Sequence, residues 1–379
     1  MTERPFWVER ILKCWRTRPI VWLSGVRRAG KTTISKMFEN AVYNNCDLPS
    51  VVRKLEDPEA YLKSIREGSM VVFDEVHRLE DPSRLLKIAA DEFPHLKVLA
   101  TGSSTLEATR KFKDTLTGRK HIVNLTPILW DECLDVFDVK NLDHRLLFGG
   151  LPEAFLGSDR EAQFYSEWID SFYARDIQEL FNVRNRSGFL KLMQLIFRSS
   201  GSLIEVTSLS KLSGITRPTV MSYLEAMRIS NMLFVLPPYH GRGRREITQR
   251  PKYYAFDTGM VCFINGWNSI RESDRGLLWE HLALDTLRSQ IHDRNLYYWR
   301  DKSGREVDFV LTGQSKGVDV IECKVNPDHF NPKNIKVFRD IYPEGRNFCI
   351  SPYTGEPYSV EKSGMLIHFV GSAKGVMEF

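Results

Sequence analysis

Mostly apolar runs alternate with helical patterns in the first third of the chain. The runs lie at residues 19–23, 70–73 and 96–100, and a further strand pattern lies at 121–125. Apolar runs of four or five residues are typical of strands that are buried on both faces, as in a parallel sheet. The pattern therefore predicts an α/β domain built on a parallel sheet, with a helix that opens near residue 33 after the first strand.

The middle of the chain begins with helical periodicity. Residues 161–200 carry an apolar stripe at helical spacing, which predicts a packing element. Residues 206–213 and 217–227 then predict two short helices joined by a turn, and strands are predicted at 232–236 and 252–256. A helix, a turn, a second helix and a hairpin in this order predict a winged helix.

The last third combines one long apolar helix with several strands. The helix is predicted at 276–287, and a hairpin follows it with strands at 295–300 and 305–311. A third strand is predicted at 318–325, and the remaining residues complete the same domain. This order predicts a second α/β domain.

The length of 379 residues is too great for one ordinary core and predicts a multidomain α/β protein. We place an N-terminal α/β domain at residues 1–145 and a helical linker or lid at 146–200. The predicted winged helix occupies 201–260, and the C-terminal domain occupies 261–379.

Composition predicts a cytoplasmic protein that is not embedded in a membrane. No apolar run approaches the roughly 18 residues that span a bilayer, and the charged N-terminus lacks a signal peptide. The six cysteines form no CxxC pair, which argues against a zinc site or a disulfide framework. A net charge of +5 is too small to establish a nucleic-acid partner, so the distribution of charge must carry that argument.

Residues 24–33, SGVRRAGKTT, contain a complete G-x-x-x-x-G-K-[ST] motif between a predicted strand and a predicted helix. In such a loop, backbone N–H groups surround phosphate, the lysine reaches the β- and γ-phosphates, and the threonine offers a hydroxyl to Mg²⁺. The motif therefore predicts ATP and Mg²⁺ as cofactors, and a basic turn without a ligand is the alternative. The predicted nucleotide-binding residues of the loop are Gly25, Arg28, Gly30, Lys31, Thr32 and Thr33.

Two carboxylates, Asp74 and Glu75, follow the second apolar run. They lie at the C-terminal end of a predicted parallel strand, where ligands bind in open α/β sheets. Asp74 would hold Mg²⁺ together with Thr32, and Glu75 would polarise the attacking water as a general base. The acidic start of a helix is the alternative, but both motifs occur in the order of an ATPase, which favours hydrolysis over binding alone.

Two further residues are candidates near the nucleotide. Ser103 follows the third apolar run and would sense the γ-phosphate or position the water, although Gly-Ser loops also occur for conformational reasons alone. Arg119 precedes the strand at 121–125 and would act as an arginine finger on the nucleotide of a neighbouring subunit in a homo-oligomer. A surface salt bridge is the alternative for Arg119.

Arginines gather between the two strands of the predicted wing, where Glu246 is the single acid. A basic, glycine-containing tip suits contact with the phosphate backbone of DNA without sequence readout. A wing that only supports a protein interface is the alternative. The residues predicted to contact DNA are Arg217, Arg242, Arg244, Arg245 and Arg250.

The C-terminal domain carries a second set of chemical groups. Asp308 lies in the second hairpin strand, and Glu322 and Lys324 share one face of the following strand. An aspartate followed by E-x-K is the motif of the PD-(D/E)xK nuclease fold. Asp308 and Glu322 would hold Mg²⁺ at a scissile phosphate, and Lys324 would orient or deprotonate the attacking water.

Glu280 lies on the inward stripe of the helix at 276–287. A carboxylate that points into a core needs a partner or a metal. Glu280 resembles the additional acid on the first helix of the nuclease fold, and this resemblance makes it a third metal ligand. Because a fold does not settle activity, cleavage of DNA and binding without cleavage both stay open.

The ordered set of motifs resembles the AAA+ family of prokaryotic ATPases. It is most similar to the branch whose C-terminal half is a domain of unknown function with a nuclease-like core. The resemblance rests on the segments SGVRRAGKTT, VVFDEVHRL, LATGSS, TGRKHIVNLTPILWDE, FGGLPEAF, YARDIQELF, PKYYAFDTGM and GREVDFV. It implies an AAA-type fold, ATP hydrolysis and a role near DNA. It also implies a role at the ATP site for Arg175 and Asp176, which otherwise would pair with each other.

Three hypotheses follow from these patterns. The first is an ATP-hydrolysing DNA-processing enzyme, and the second is an ATP-dependent switch whose C-terminal domain binds partners without cleaving them. The third is a nuclease that ATP regulates without powering it. Stimulation of the ATPase by DNA separates the first from the second, and a Glu75→Gln variant separates the third.

Overall fold

The computed structural model describes residues 3–102, 116–178, 181, 183–241, 250–291, 295–313 and 317–378. Five parallel strands form its N-terminal sheet: β1 (Ile20–Ser24), β2 (Val42–Asn45), β3 (Met70–Asp74), β4 (Lys97–Gly102) and β5 (Lys120–Asn124). Their order across the sheet is β2-β3-β4-β1-β5. The predicted parallel sheet is therefore present, and its strand order places the ends of β1, β3 and β4 side by side.

Helices cover this sheet on both faces. Those of the N-terminal region are α1 (Pro5–Cys14), α2 (Lys31–Ser35), α3 (Pro49–Lys54), α4 (Pro58–Lys63), α5 (Pro82–Glu92) and α6 (Trp130–Asp135). Aspartates define where two of them begin, because Asp57 accepts from the N–H of Ala60 and Asp81 from that of Arg84. The helix after the phosphate loop begins at Lys31, two residues earlier than its sequence pattern predicts.

Strand β1 is buried on both faces, as its continuous apolar run predicts. Val21 and Leu23 belong to one apolar cluster, whereas Ile20 and Trp22 belong to another. The second cluster also contains residues of α4 and α5, such as Leu62 of α4. It therefore lies between the sheet and these helices. The alternation of side chains along a strand accounts for this division.

The middle region is helical and then forms a small antiparallel sheet. Its helices are α7 (Leu142–Phe148), α8 (Pro152–Phe155), α9 (Ala162–Phe172), α10 (Arg186–Arg198), α11 (Val206–Ser213) and α12 (Arg217–Ile229), with a π-helix at Tyr173–Gln178. Strands β6 (Ser202–Leu203), β7 (Leu233–Leu236) and β8 (Lys252–Ala255) pair in the order β6-β8-β7. Thr216 caps α12 by accepting from the N–H of Thr219.

The C-terminal region is a mixed six-stranded sheet with helices on both faces. The helices are α13 (Thr258–Ile264), α14 (Glu272–Gln290), α15 (Lys333–Ile341) and α16 (Ala373–Glu378). The strands are β9 (Leu296–Arg300), β10 (Glu306–Leu311), β11 (Asp319–Cys323), β12 (Asn347–Ile350), β13 (Tyr358–Lys362) and β14 (Met365–Val370). They lie in the order β13-β14-β12-β11-β10-β9, so the predicted helix–hairpin–strand arrangement is present.

The middle sheet is joined to the edge of the C-terminal sheet. Just after β7, the N–H of Tyr239 donates to the carbonyl oxygen of Tyr298 at 2.6 Å, and the N–H of Tyr298 donates to Pro237 at 3.1 Å. The Tyr298 hydroxyl also donates to the carbonyl oxygen of Arg250, which precedes β8. These bonds cover part of the β9 edge, which is otherwise available for pairing with another chain.

One apolar cluster runs through all four predicted domains. It contains Val21 of β1, Phe197 of α10, Leu224 of α12 and Leu282 of α14. The boundaries at 145, 200 and 260 therefore stay predictions, and packing crosses each of them. Within the described part of the chain, no helix combines the length and the apolar character that crossing a bilayer requires.

A buried aspartate connects the start of α13 to the segment after α7. Asp257 caps α13 by accepting from the N–H of Met260 at 3.1 Å, and it accepts from the N–H of Gly150 at 2.7 Å. Gly149 has φ +76°, and a Cβ there would lie 2.1 Å from the Asp257 carboxylate. Position 149 therefore needs glycine, because both its backbone conformation and this close approach exclude a side chain.

Candidate functional site

The loop between β1 and α2 has the backbone of a phosphate-binding loop. A Cβ on Gly25 would lie 2.5 Å from the carbonyl oxygen of Leu125, so only glycine fits there. Gly30 and Arg28 have φ values of 101° and 63°, both in the left-handed region. These conformations turn the loop tightly between the end of β1 and Lys31 at the start of α2, the arrangement in which loop N–H groups surround phosphate.

Lys31 is buried at the centre of this loop. Its Nζ donates to the carbonyl oxygens of Gly25 and Val26 at 2.8 and 3.0 Å. Burial lowers the pKa of Lys31, whereas the carboxylates of Glu75 and Asp176 oppose this shift. Within the described part of the chain this buried ammonium bonds to neutral carbonyl oxygens alone, so it is well placed to exchange them for phosphate oxygens.

Asp74 ends β3 and receives three hydroxyl groups. Thr32 and Tyr43 donate to its Oδ2 at 2.9 and 2.5 Å, and Thr101 donates to its Oδ1 at 2.5 Å. The Thr32 hydroxyl and the Asp74 carboxylate are thus adjacent, and their oxygens are the ligand type that Mg²⁺ prefers. This part of the site fits the predicted metal.

Glu75 follows Asp74 in a left-handed conformation, with φ 55°. Its backbone N–H donates to the Thr101 hydroxyl at 3.0 Å, and its Oε2 lies 3.3 Å from Nδ1 of His77. Its side chain is 26% exposed, which leaves it open to water beside the phosphate loop. The position is consistent with a general base, and burial lowers the pKa of the nearby His77.

The middle region contacts the phosphate loop through Arg27 and Asp176. The Arg27 Nε lies 3.0 Å from Oδ2 of Asp176, a carboxylate that is 1% exposed and lies in the π-helix. The Trp168 indole donates to the carbonyl oxygen of Arg27 at 3.0 Å. The expected pairing of Arg175 with Asp176 is therefore wrong, because the partner of Asp176 is Arg27. The sequence shows both residues but gives no sign that they meet.

Other residues of the middle region also approach the loop. Arg28 lies 3.5 Å from Glu153 and packs over the ring of Phe164. The side-chain amide of Asn231, just after α12, donates to the hydroxyl of Ser24 at 2.9 Å. The start and the middle of the phosphate loop are thus in contact with elements that follow the N-terminal sheet.

Of the two further residues predicted to act near the nucleotide, the structure describes Arg119 but not Ser103. Arg119 lies at the N-terminal end of β5 and forms a two-pronged ion pair with Asp91, at 2.5 and 3.2 Å. The phosphate loop follows the C-terminal end of β1, and β5 runs parallel to β1. Arg119, before the N-terminal end of β5, therefore lies at the opposite end of the strands from the phosphate loop. Ser103 lies outside the described residues.

The C-terminal triad is gathered at one place. The Lys324 Nζ lies 2.8 Å from Oε2 of Glu322 and 4.0 Å from Oδ2 of Asp308. Asp308 also accepts from the N–H of Cys323 at 2.8 Å. The pairing of β10 with β9 shifts register between Val307 and Val310, and such a bulge redirects the side chain of Asp308.

Glu322 is almost fully buried. Burial, together with the nearby charge of Asp308, raises its pKa to about 8, and the ammonium of Lys324 opposes this shift. Its Oε1 has no hydrogen-bond partner among the described residues. A cavity of about 320 Å³ beside it is lined by Glu280, Asp308 and Lys324 among others. Asp308 and Lys324 of the triad therefore face a space large enough for a ligand.

Glu280, predicted as a metal ligand, contacts two side chains of β8. Its Oε1 accepts from Nζ of Lys252 at 3.0 Å and from the hydroxyl of Tyr254, both from β8. Among the described residues, no group of three His, Cys, Asp or Glu side chains is arranged to hold a metal. Lysines pair with Glu280 and Glu322 in this arrangement, so a metal ion bound to both carboxylates would have to compete with these ammonium groups.

The residues predicted to contact DNA are only partly visible. Arg217 begins α12 and is exposed. Arg250 is 57% exposed and lies 3.7 Å from Glu205. Arg242, Arg244 and Arg245 lie outside the described residues.

Comparisons with known proteins divide the chain into three parts. Residues 17–134 match the family described as AAA domain. Residues 139–271 and 275–367 match two families described as domains of unknown function, DUF8612 and DUF4143. The uncharacterized protein Rv2008c of Mycobacterium tuberculosis is 25% identical over 335 residues, which cover 84% of this chain and 74% of the relative. Mb2031c of Mycobacterium bovis has the same values.

Two solved structures are also similar. The Walker-type ATPase paby2304 of Pyrococcus abyssi is 16% identical with a TM-score of 0.46, covering 70% of this chain and 96% of that chain. A RuvB variant of Thermotoga maritima is 16% identical with a TM-score of 0.33, covering 66% of this chain and 92% of that chain.

The N-terminal region is an ATPase domain of the AAA+ type. The family match at residues 17–134, the parallel sheet and the phosphate loop with its neighbouring carboxylates agree on this class. ATPases of this class bind nucleotide, typically with Mg²⁺. The C-terminal region is an additional α/β domain, and its match carries no functional description.

Replacing Glu75 tests the hydrolytic step. Glu75→Gln keeps the shape of the side chain but removes the base, so we expect ATP binding to persist while turnover falls by about 100-fold or more. Phosphate release and the binding of a fluorescent ATP analogue measure the two effects separately. The matched control is Glu80→Gln, at an exposed position five residues further on. Unchanged turnover in Glu75→Gln would contradict the assignment.

Replacing Asp176 tests its influence on the nucleotide. Asp176→Asn removes a buried negative charge near Lys31 and frees Arg27 for phosphate, so we expect ATP to bind about tenfold more tightly, or about 1.4 kcal/mol. Titration with the same fluorescent analogue measures the dissociation constant. Asp170→Asn, an exposed carboxylate paired with Arg186, is the control. Weaker binding by a folded Asp176→Asn chain would show that Asp176 supports the nucleotide instead.

Proposed function

We propose that the chain is an ATP-hydrolysing DNA-processing protein. In this proposal the N-terminal site turns over ATP, and the middle and C-terminal regions bind DNA. The observation that carries the first part is the juxtaposition of Lys31, Thr32 and Asp74 at the ends of β1 and β3, with Glu75 beside them. Two hydroxyls from β2 and β4 hold Asp74 in place.

The roles at the ATP site follow from these positions. Lys31 would bind the β- and γ-phosphates, Thr32 and Asp74 would hold Mg²⁺, and Glu75 would orient and polarise the attacking water. Mg²⁺ at this place neutralises phosphate charge. The backbone N–H groups of the loop complete the anion site, with Gly25 and Gly30 allowing its close turn.

The proposal of DNA as partner rests on the middle and C-terminal regions. Helices α11 and α12 followed by the β7–β8 hairpin have the order of a winged helix, and the exposed Arg217 and Arg250 belong to it. The helix α14, the strands β9 to β11 and the triad of Asp308, Glu322 and Lys324 agree with a PD-(D/E)xK nuclease-like fold. Such a region would contact the phosphate backbone through its basic side chains.

A second function has an observation in its favour. An ATP-dependent switch would use a nuclease-like domain for interaction without cleavage. The pairing of Glu280 with Lys252 supports it, because the predicted metal ligand is occupied by a side chain of the same chain. A third function is a nuclease that ATP regulates without powering it. In that case the Glu75→Gln variant, with ATP bound, would still cut DNA.

DNA-dependent turnover tests the main proposal. The full chain is incubated with ATP, Mg²⁺ and single-stranded, duplex, forked or four-way DNA, and both phosphate release and strand scission are measured. We expect at least one DNA to raise the ATPase rate. Arg250→Ala should weaken the binding of that DNA and reduce the slope of log affinity against log salt concentration by about 1. Arg66→Ala, an exposed arginine of the N-terminal region, is the control.

The outcomes of this assay separate the functions. Phosphate release that no DNA changes would contradict the DNA-processing function and favour the switch. If the wild-type chain cuts DNA and replacement of Asp308, Glu322 or Lys324 abolishes the cutting, the cleavage belongs to the triad.

We also propose that Arg119 acts between subunits of a homo-oligomer. Arg119 lies at the end of the sheet opposite its own phosphate loop and pairs with Asp91, so a contact with nucleotide would have to be with that of a neighbouring chain and would require Arg119 to leave Asp91. A mixture of Arg119→Ala and Glu75→Gln chains should then regain turnover, since some interfaces combine the intact Glu75 of one variant with the intact Arg119 of the other. No recovery from variants that still associate would contradict this role.

A further inference from the structure

Lys252 places an ammonium among the carboxylates of the C-terminal domain. Its Nζ lies 3.0 Å from Oε1 of Glu280 and 2.5 Å from Oε1 of Glu306, and its side chain is 4% exposed. The ring of Tyr298 lies on another side, with its centroid 5.5 Å from Nζ. Four elements, β8, α14, β10 and β9, therefore meet at one lysine that belongs to the middle sheet.

The surroundings keep Lys252 charged. Burial alone would lower its pKa, but the charges of Glu280 and Glu306 raise the pKa above its usual value. Glu280 in turn receives both Lys252 and the Tyr254 hydroxyl on the same oxygen. A buried carboxylate needs such partners, because an unpaired buried charge is costly.

The Lys252 ammonium pairs with a carboxylate that the sequence predicts to bind a metal ion. Glu280 was expected to bind a cation together with Asp308 and Glu322, and the cation that it binds is Lys252. Lys324 neutralises Glu322 in the same way, at 2.8 Å. Glu280 and Oε2 of Glu322 thus pair with lysines, whereas Oε1 of Glu322 has no hydrogen-bond partner among the described residues.

We propose that the Lys252 ammonium is the resident cation of the C-terminal carboxylate cluster and excludes a divalent cation from Glu280 while β8 stays in place. This inference rests on the proposed nuclease-like assignment of the C-terminal domain. It also implies that metal access to Glu280 is regulated, because Glu280 becomes available to a metal only when Lys252 moves away. Lys252 is a positioning residue here, since it acts on the site by occupying Glu280.

The segment that carries Lys252 also reaches towards the ATP site. Asp257, five residues further on, accepts from the N–H of Gly150, and Glu153 lies 3.5 Å from Arg28 of the phosphate loop. A series of contacts therefore runs from the segment after β8 to the phosphate loop.

Mn²⁺ binding tests the proposal without reference to DNA or ATP. The nucleotide-free full chain is titrated with Mn²⁺, and free Mn²⁺ is measured by electron paramagnetic resonance. We expect Lys252→Met to gain a Mn²⁺ site at least about tenfold tighter than any at this cluster in the wild type, or about 1.4 kcal/mol. Adding Glu280→Gln to Lys252→Met should remove the gain. Lys302→Met, in the exposed turn of the β9–β10 hairpin, should gain nothing.

A folded Lys252→Met chain that binds no additional Mn²⁺ would overturn the proposal. If Lys252→Met does not fold, the comparison of wild type with Glu280→Gln decides. Equal Mn²⁺ binding by these two supports exclusion by Lys252, whereas weaker binding by Glu280→Gln would show that Glu280 is a metal ligand with Lys252 present. Absence of DNA stimulation or scission would count against the proposed function alone, because neither enters this measurement.

Discussion

The carboxylate of Asp257 fixes the relation between the two candidate sites. It is fully buried and accepts from backbone N–H groups on both sides, at Gly150 and at Met260. Gly149 leaves no room for a Cβ beside it. Through this aspartate, the start of α13 is held against the segment that leads from α7 towards the phosphate loop. The middle region is therefore packed as a connector between the ATP site and the C-terminal sheet.

Both sites satisfy their buried cations internally. Lys31 donates to carbonyl oxygens of its own loop, whereas Lys252 pairs with carboxylates of another region. The difference has consequences for ligands. Neutral carbonyl oxygens compete weakly with phosphate for an ammonium, since charged partners form the stronger hydrogen bonds. Carboxylates hold their lysine much more firmly. The first site is prepared to receive an anion, and the second resists a cation.

The sequence predicts those parts of the sites that depend on local pattern. A strand, a glycine loop and a helix specify the place of Lys31, and a buried strand that ends in two acids specifies Asp74. The partners that come from distant segments escape such reasoning, as Asp176 is 149 residues from Arg27. Glu280 shows the limit clearly. Its inward position requires a partner or a metal, but only the fold reveals that Lys252, 28 residues earlier, supplies the partner.

The pair of Lys252 and Glu280 is poorly explained by stability alone. Taking two charges out of water costs about as much as their attraction returns, and apolar side chains of similar volume often stabilise a core at least as well. An ion pair does, however, fix the relative position of the elements that carry it. Any displacement of β8 along α14 separates the charges within a buried environment. The pair thus favours one alignment of the middle sheet on the C-terminal domain, and leaving that alignment requires new partners for both charges.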